Sequence, residues 1–258
     1  MKAVPLSREK HANLRVRPLT DLRPLANHSR IALYAVEVPL VVHEYPVLIA
    51  ARADGLGLVG LTGLAPHQNL MVTADGKWRA SHLPAVLRRA PFLPGRVADK
   101  DDLILCIDED SPLFSQAEGE PLFAADGSTT EAVTRASALL GELERHNRAT
   151  TEIVATLRRL DLLIPWTPPA RRNITDETRA GLFCVDEKRL LGLDGNTLAE
   201  LQKIGGLALV YGHLYSLDRV NILERLTVAM TPAVPTDPQA PVDLDRMFGI
   251  VEDDPFQF

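Results

Sequence analysis

Tyr45-Pro46-Val47-Leu48-Ile49-Ala50-Ala51-Arg52-Ala53-Asp54-Gly55-Leu56-Gly57-Leu58-Val59-Gly60-Leu61 decides the fold class. Two apolar runs of strand length, Tyr45 to Arg52 and Leu56 to Leu61, flank Asp54-Gly55, a dipeptide that folds one strand back antiparallel to the next. Gly55 to Gly60 also spells G-x-G-x-x-G, the phosphate-binding fingerprint. That fingerprint works only where a helix opens at its third glycine, and here the third glycine sits inside a strand pattern. The stretch is therefore a hairpin.

Similar short runs surround it. Tyr34 to Val38, Leu70 to Thr73 and Leu103 to Ile107 are bounded by Pro, Gly, Asn or Asp, and Asp75-Gly76 supplies a further turn. Together they predict an antiparallel meander rather than βαβ units. Between them, His82 to Phe92 can form a short helix that starts near Pro84 and ends before Pro91.

Helical spacing takes over after residue 127. Ser128-Thr129-Thr130-Glu131 fits a capping box, with the Ser128 hydroxyl meeting the N3 amide and Glu131 reaching back. A helix of about thirty residues is expected to follow, since Val133, Ala136, Leu140, Leu143, Thr150, Val154 and Leu157 fall on one stripe. Asn147 interrupts that stripe and marks a less buried turn. Gly181 to Val185 reads as a strand, and Asn196 as the cap of a short helix stopped by Gly205-Gly206. Leu207 to Met230 is apolar enough for a buried helix, with a break or cap at Ser216. Within it, His213 is expected to be a hydrogen-bonded core residue rather than a ligand.

Composition changes at Met230. Thr231 to Pro241 carries four prolines at three-residue spacing, so an extended linker is expected. Beyond it, Met247, Phe248, Phe256 and Phe258 are apolar anchors on an acidic segment, positioned to enter a groove on this chain or on another protein. The fold class is accordingly α+β. An antiparallel β-rich N-terminal half packs with a helical C-terminal half in a globular domain over residues 1–230, and an extended tail occupies 231–258.

Charge narrows the function classes. The net charge of −6 argues against a general nucleic-acid binder. The first ten residues lack the apolar core of a signal peptide, and no apolar run reaches the length of a membrane span. A cytoplasmic protein is the default, with surface association through a route that needs no signal peptide left open. Cys106 and Cys184 lie in strand-like apolar contexts outside any C-x-x-C pair and read as buried thiols. Residues 1 to 30 hold seven Lys or Arg against two acids, and residues 76 to 100 hold six against one, whereas 101 to 134 holds nine carboxylates and no Lys, Arg or His. Pairing of these segments across the folded surface is the expected arrangement.

The acidic stretch is the candidate binding region, through Asp108, Glu109, Asp110, Glu118 and Glu120. An EF-hand loop starting at Asp108 fails at Pro112, Leu113 and Gly119. A looser site for a hard cation would use Asp108, Asp110 and Glu118 or Glu120. An ordinary solvated turn after a strand explains Asp-Glu-Asp-Ser-Pro equally simply and is preferred. No serine-hydrolase elbow, phosphate loop or H-E-x-x-H helix is present, so no catalytic residue, metal or cofactor is assigned.

Several blocks carry a resemblance. Val4 to Val16, Glu44-Tyr45-Pro46-Val47, Gly63 to Leu70, Leu105 to Pro112 and Glu118 to Phe123 resemble, in order, the signature blocks of the SapC (surface array protein C) family, from near residue 4 to about residue 228. The resemblance implies an association with bacterial surface layers and, in proteobacteria, with TonB-dependent receptors and flavin-dependent halogenase-like proteins. It implies no catalytic residues. A non-enzymatic accessory protein that engages a protein partner, through the acidic segment or the tail, is the leading expectation. The alternatives are a metal-assisted enzyme using the acidic residues with His11 or His213, and a structural surface-layer component.

Overall fold

The computed structural model describes residues 3–52, 55–96, 103–168 and 174–230. In chain order, the first half contributes β1 (Ala3–Pro5), α1 (Arg8–His11), β2 (Arg15–Val16), β3 (Arg30–Ala32), α2 (Val38–Val41), β4 (Val47–Arg52), β5 (Gly55–Leu61) and α3 (Ala85–Arg88). It continues with β6 (Phe92–Arg96), β7 (Leu103–Asp108), β8 (Phe114–Ser115) and β9 (Glu120–Pro121). The second half holds α4 (Glu131–Arg159), β10 (Leu163–Pro165), α5 (Asp176–Arg179), β11 (Leu182–Val185), α6 (Glu187–Leu191), α7 (Gly195–Lys203), α8 (Gly206–Ser216) and α9 (Val220–Met230). Every strand pairing is antiparallel.

The predicted hairpin is the centre of the largest sheet, whose order is β10-β11-β4-β5-β3. Its register runs from Val47 opposite Gly60 to Arg52 opposite Gly55. Val47, Leu48, Ile49 and Ala50 are all buried. Successive strand residues point to opposite faces, so both faces of β4 are covered. α4 packs against β5, and α8 against β4 and β11. The G-x-G-x-x-G string thus has a packing explanation at its last glycine. A Cβ at Gly60 would lie 2.4 Å from Cε2 of Tyr45, a fully buried ring. Gly60→Ala is expected to cost about 1–3 kcal/mol by overpacking, read as a lower urea midpoint at unchanged slope; an unchanged midpoint would refute the contact.

Two smaller sheets, β1-β7-β6 and β8-β2-β9, draw the N-terminus onto the acidic stretch. They share a second apolar cluster built on Phe92, Ile107 and Leu122. α4 joins both clusters: Val133, Ala136 and Leu140 enter the second, and Ile153, Val154 and Leu157 enter the main core. Its buried stripe is the one read from sequence, and Asn147 is exposed.

Several local expectations are corrected. Tyr34 to Val38 is not a strand; a 3-10 turn at Ala35–Glu37 leads into α2, with Pro39 in the first turn where its missing N–H costs nothing. Leu70 to Thr73 makes only an isolated bridge, Val72 to Trp78, because the Asn69 side chain takes the Met71 N–H at 3.0 Å and bends the chain. The Ser128 capping box does not form. Thr130 is the N-cap residue, its hydroxyl donates to the Pro121 carbonyl (2.7 Å), and Ser128 donates to Asp126. The cap of α7 is Asp194, which accepts the N–H groups of Asn196 and Thr197. The Ala53-Asp54 part of the hairpin turn and the whole of 231–258 lie outside the described residues.

Candidate functional site

The acidic stretch folds as a clasp around the N-terminal basic one. β2 is held between β8 and β9, with Arg15 opposite Ser115 and Pro121. Arg15 donates to the Gly119 carbonyl (3.0 Å) and Arg17 to the Pro112 carbonyl. Glu118 lies 3.6 Å from Arg17, and Glu120 2.6 Å from Arg135. The Ser7 N–H donates to Nδ1 of buried His11, which leaves Nε2 as the donor to Glu109 at 3.2 Å. The pairing expected from the charge blocks is thus made between the first basic stretch and the acidic one, whereas Glu120 goes to Arg135 of α4 and Arg96 of the second basic stretch goes to Glu144. Being exposed, the Arg17 and Arg135 pairs each contribute about 1 kcal/mol or less.

The cation reading finds no geometry of this kind. Glu118 and Glu120 go to different arginines, Asp110 is exposed in the turn after β7, and Asp108 is half-buried at its end. Among the described residues, no group of three or more His, Cys, Asp or Glu is gathered to hold a metal ion. His213 is committed elsewhere: Nε2 accepts the Val185 N–H (3.1 Å) and Nδ1 donates to the Val47 carbonyl (2.6 Å). This is the core histidine expected from its apolar helix. Both cysteines are buried and free, and burial pushes both thiols up, away from the reactive thiolate.

Beside the clasp lies a groove of about 370 Å³. One wall is residues 19–25, a second is α3 with the chain to Leu93, and the third is Asp108 with Ser111–Leu113. Leu22, Leu87 and Phe92 form much of its floor and are nearly fully buried. Four lining residues are not apolar: Asp21, Arg89, Asp108 and Ser111. Asp21 is held by Arg23 at 2.7 Å, which keeps its carboxyl at about 2, well below the usual range. Arg89 is different. Burial lowers its pKa against a smaller opposing effect of Tyr34, yet a guanidinium stays charged at neutral pH. Its buried Nε has no hydrogen-bond partner among the described residues.

Glu37 sets this wall in place. One carboxyl oxygen accepts the Ala85 N–H (2.7 Å) and His82 Nε2 (2.8 Å), and the other accepts the Tyr34 N–H (3.0 Å). The first of these bonds fixes the start of α3, the helix that brings Leu87 and, just past its end, Arg89 to the groove. A second cleft of about 450 Å³ is polar, with His28, His67 and Glu177 on its walls.

The family model for SapC matches residues 6–223. The chain belongs to the SapC family. The match takes in the clasp, the groove and most of the helical half, and it stops before the tail. Comparison with curated proteins and with solved structures found no match. Of the binding residues expected from sequence, Glu109, Glu118 and Glu120 serve the clasp of this SapC-family protein, and Asp108 alone touches the groove. Met247, Phe248, Phe256 and Phe258 lie outside the described residues. Arg89, Leu22 and Leu113 were missed. The signal for Arg89 was the alternation of basic and apolar residues in 76–93, which reads equally well as a solvated helix face; Leu22 and Leu113 carried no local signal. Among the described residues, no helix is long and apolar enough to cross a membrane.

Proposed function

We infer that this SapC-family protein is a non-catalytic accessory protein whose groove receives a peptide segment carrying aromatic and acidic side chains. The supporting observation is the apolar groove with one buried guanidinium Nε lacking an acceptor. Aromatic rings seated on the leucine and proline walls would bury apolar surface at about 25 cal/mol per Å², and a carboxylate would find in Arg89 the one cation among the lining residues. Extended peptides commonly bind proteins in this way. A protein ligand also fits the setting that the family resemblance raises, an accessory beside outer-membrane uptake components, and a cytoplasmic location is the simplest one for it.

The test uses a labelled Glu-Asp-Asp-Pro-Phe-Gln-Phe peptide as probe. Because the chain's own tail has the same chemistry and would compete, the receiving protein carries Phe248→Ala, Phe256→Ala and Phe258→Ala. Adding Leu113→Glu to one groove wall is expected to weaken the probe at least tenfold, and Arg89→Gln severalfold, with the melting temperature of Leu113→Glu close to that of its parent. Equal binding with and without Leu113→Glu would refute the groove as the site.

A further inference from the structure

We propose that a cleft between α1, β2 and the turn at 124–128 is a binding site for a small organic phosphate monoester, whose phosphate meets Arg8 and Arg15 and whose body lies on Phe123. The cleft shares no lining residue with the groove, so this site stands or falls independently of the peptide-binding reading.

Charge is the first argument. The cleft holds about 430 Å³, and the polar side chains on its walls are those of Arg8, Arg15, Asn13 and Gln116. No carboxylate lines it, in a chain with 34 acidic residues against 28 Lys and Arg. The carboxylates nearest in sequence have other partners: Glu118 lies 3.6 Å from Arg17, and Glu120 2.6 Å from Arg135. Asp126 accepts the Ser128 N–H and hydroxyl at 2.9 and 2.7 Å. Glu9 follows Arg8 on α1, about 100° further round the helix, and is not on the wall. Two cations without a lining anion match a phosphate monoester, which carries close to two negative charges at neutral pH.

Arrangement is the second. Arg15, half-buried on β2, donates one N–H to the Gly119 carbonyl at 3.0 Å, a bond that steadies the guanidinium and leaves further donors on its fork. Arg8 is laid against the 124–128 turn, which is closed by the Ala124 N–H bonding the Ser128 carbonyl at 2.9 Å. A Cβ at Gly127 would fall 1.9 Å from Cζ of Arg8, so the guanidinium rests on backbone that a side chain would cover. The φ of +88° at Gly127 favours glycine there as well. Planar guanidinium forks bind phosphate oxygens in pairs, and the amides of Asn13 and Gln116 add neutral donors.

Size is the third. The cleft is roomier than a bare phosphate needs and falls among the volumes usual for small-molecule sites. Pro121 and the half-buried Phe123 put apolar surface beside the arginines, and the organic part of an ester would cover it.

The experiment titrates phenyl phosphate into the full chain by calorimetry at low salt, with inorganic phosphate and benzoate as the other arms. Saturable binding of phenyl phosphate is expected, about tenfold tighter than either of the others, since only it supplies both the dianion and the ring. Arg8→Gln should weaken it about tenfold, and Arg15→Gln by as much or more, because each removes a charge-assisted pair. Arg8 is exposed, so Arg8→Gln should melt close to the native chain. Arg8→Lys keeps the charge and loses the fork, and should bind with an affinity between those of the native and glutamine chains. Leu113→Glu, in the groove, is expected to leave phenyl phosphate binding unchanged. The proposal is overturned by no saturable binding up to about 10 mM, by equal binding of inorganic phosphate, or by an affinity that Arg8→Gln leaves unaltered. Loss of binding in Leu113→Glu alone would move the ligand to the groove and overturn it too.

Discussion

Replacing His213 by leucine is expected to destabilise the protein by about 3–5 kcal/mol at pH 7.5 and to remove a pH dependence that the native chain shows between pH 6.5 and 4. β11 and β4 pair at Leu182 with Ala50 and Phe183 with Ile49; continued, the register would bring Val185 opposite Val47. The strands part before that point, and the His213 ring occupies the gap, taking the Val185 N–H and giving a proton to the Val47 carbonyl. Ser216, one turn on, accepts the Val47 N–H at 2.8 Å. Leucine fills the space but leaves a buried donor and a buried acceptor unmet, each worth about 1–3 kcal/mol.

The sign of the pH effect follows from the ring's state. Complete burial lowers the His213 pKa from 6.5 to about 4, against a smaller raising effect of the Val47 carbonyl. The folded state holds the ring neutral, so its contribution is complete above pH 6.5. It declines as pH falls, because the unfolded chain takes the proton first, and it is exhausted below about 4. Across that window it amounts to roughly 3 kcal/mol. Urea midpoints of the native and leucine chains, subtracted at each pH, isolate it from the surface carboxylates. A pH-independent difference would refute the assignment.

Glu37→Ala is expected to lose a comparable 3–5 kcal/mol and to weaken the groove as well. Two backbone N–H groups, of Tyr34 and Ala85, and the His82 ring would lose their acceptor in a site where Glu37 is 2% exposed. Glu37→Gln keeps one carboxyl oxygen and should fall between the two. Since Ala85 begins α3, the alanine variant should also weaken the heptapeptide probe severalfold under conditions where it remains folded. Full retention of probe binding would show that α3 holds its place without Glu37.

The parts of this fold legible in the sequence were those written in local pattern. The hairpin at 47–61, the stripe of α4 and the break at Ser216 follow from periodicity and turn residues within a few positions of one another, and the structure bears each out. Glu37 was hidden because a glutamate between two valines looks like the solvent face of a strand. Only the distant Ala85 and His82 explain its burial. Thr130 displaced Ser128 as a cap for a similar reason, since β9 supplied a carbonyl that the local motif could not anticipate. The groove was least legible, being made from three segments, 19–25, 86–93 and 108–113, that lie far apart in sequence. The acidic stretch drew attention as chemistry, and in the structure its backbone pairs with the N-terminal strand while Glu109 and Glu118 meet His11 and Arg17 and Glu120 meets Arg135.

That clasp also sets a timetable. Residues 3–16 leave the ribosome well before their partners, because Ala3 pairs with Asp108 and Val16 with Glu120. Translation of the roughly 100 residues between takes about 5–20 s at common elongation rates. Throughout that interval a basic, strand-forming segment travels unpaired beside a polyanionic ribosome, and β6, when it arrives, gains its own neighbour only when β7 follows. Closure of the clasp is therefore a late, long-range event in the birth of this chain, and a factor that shields the first sixteen residues should raise the yield of folded protein more than one acting on the helical half.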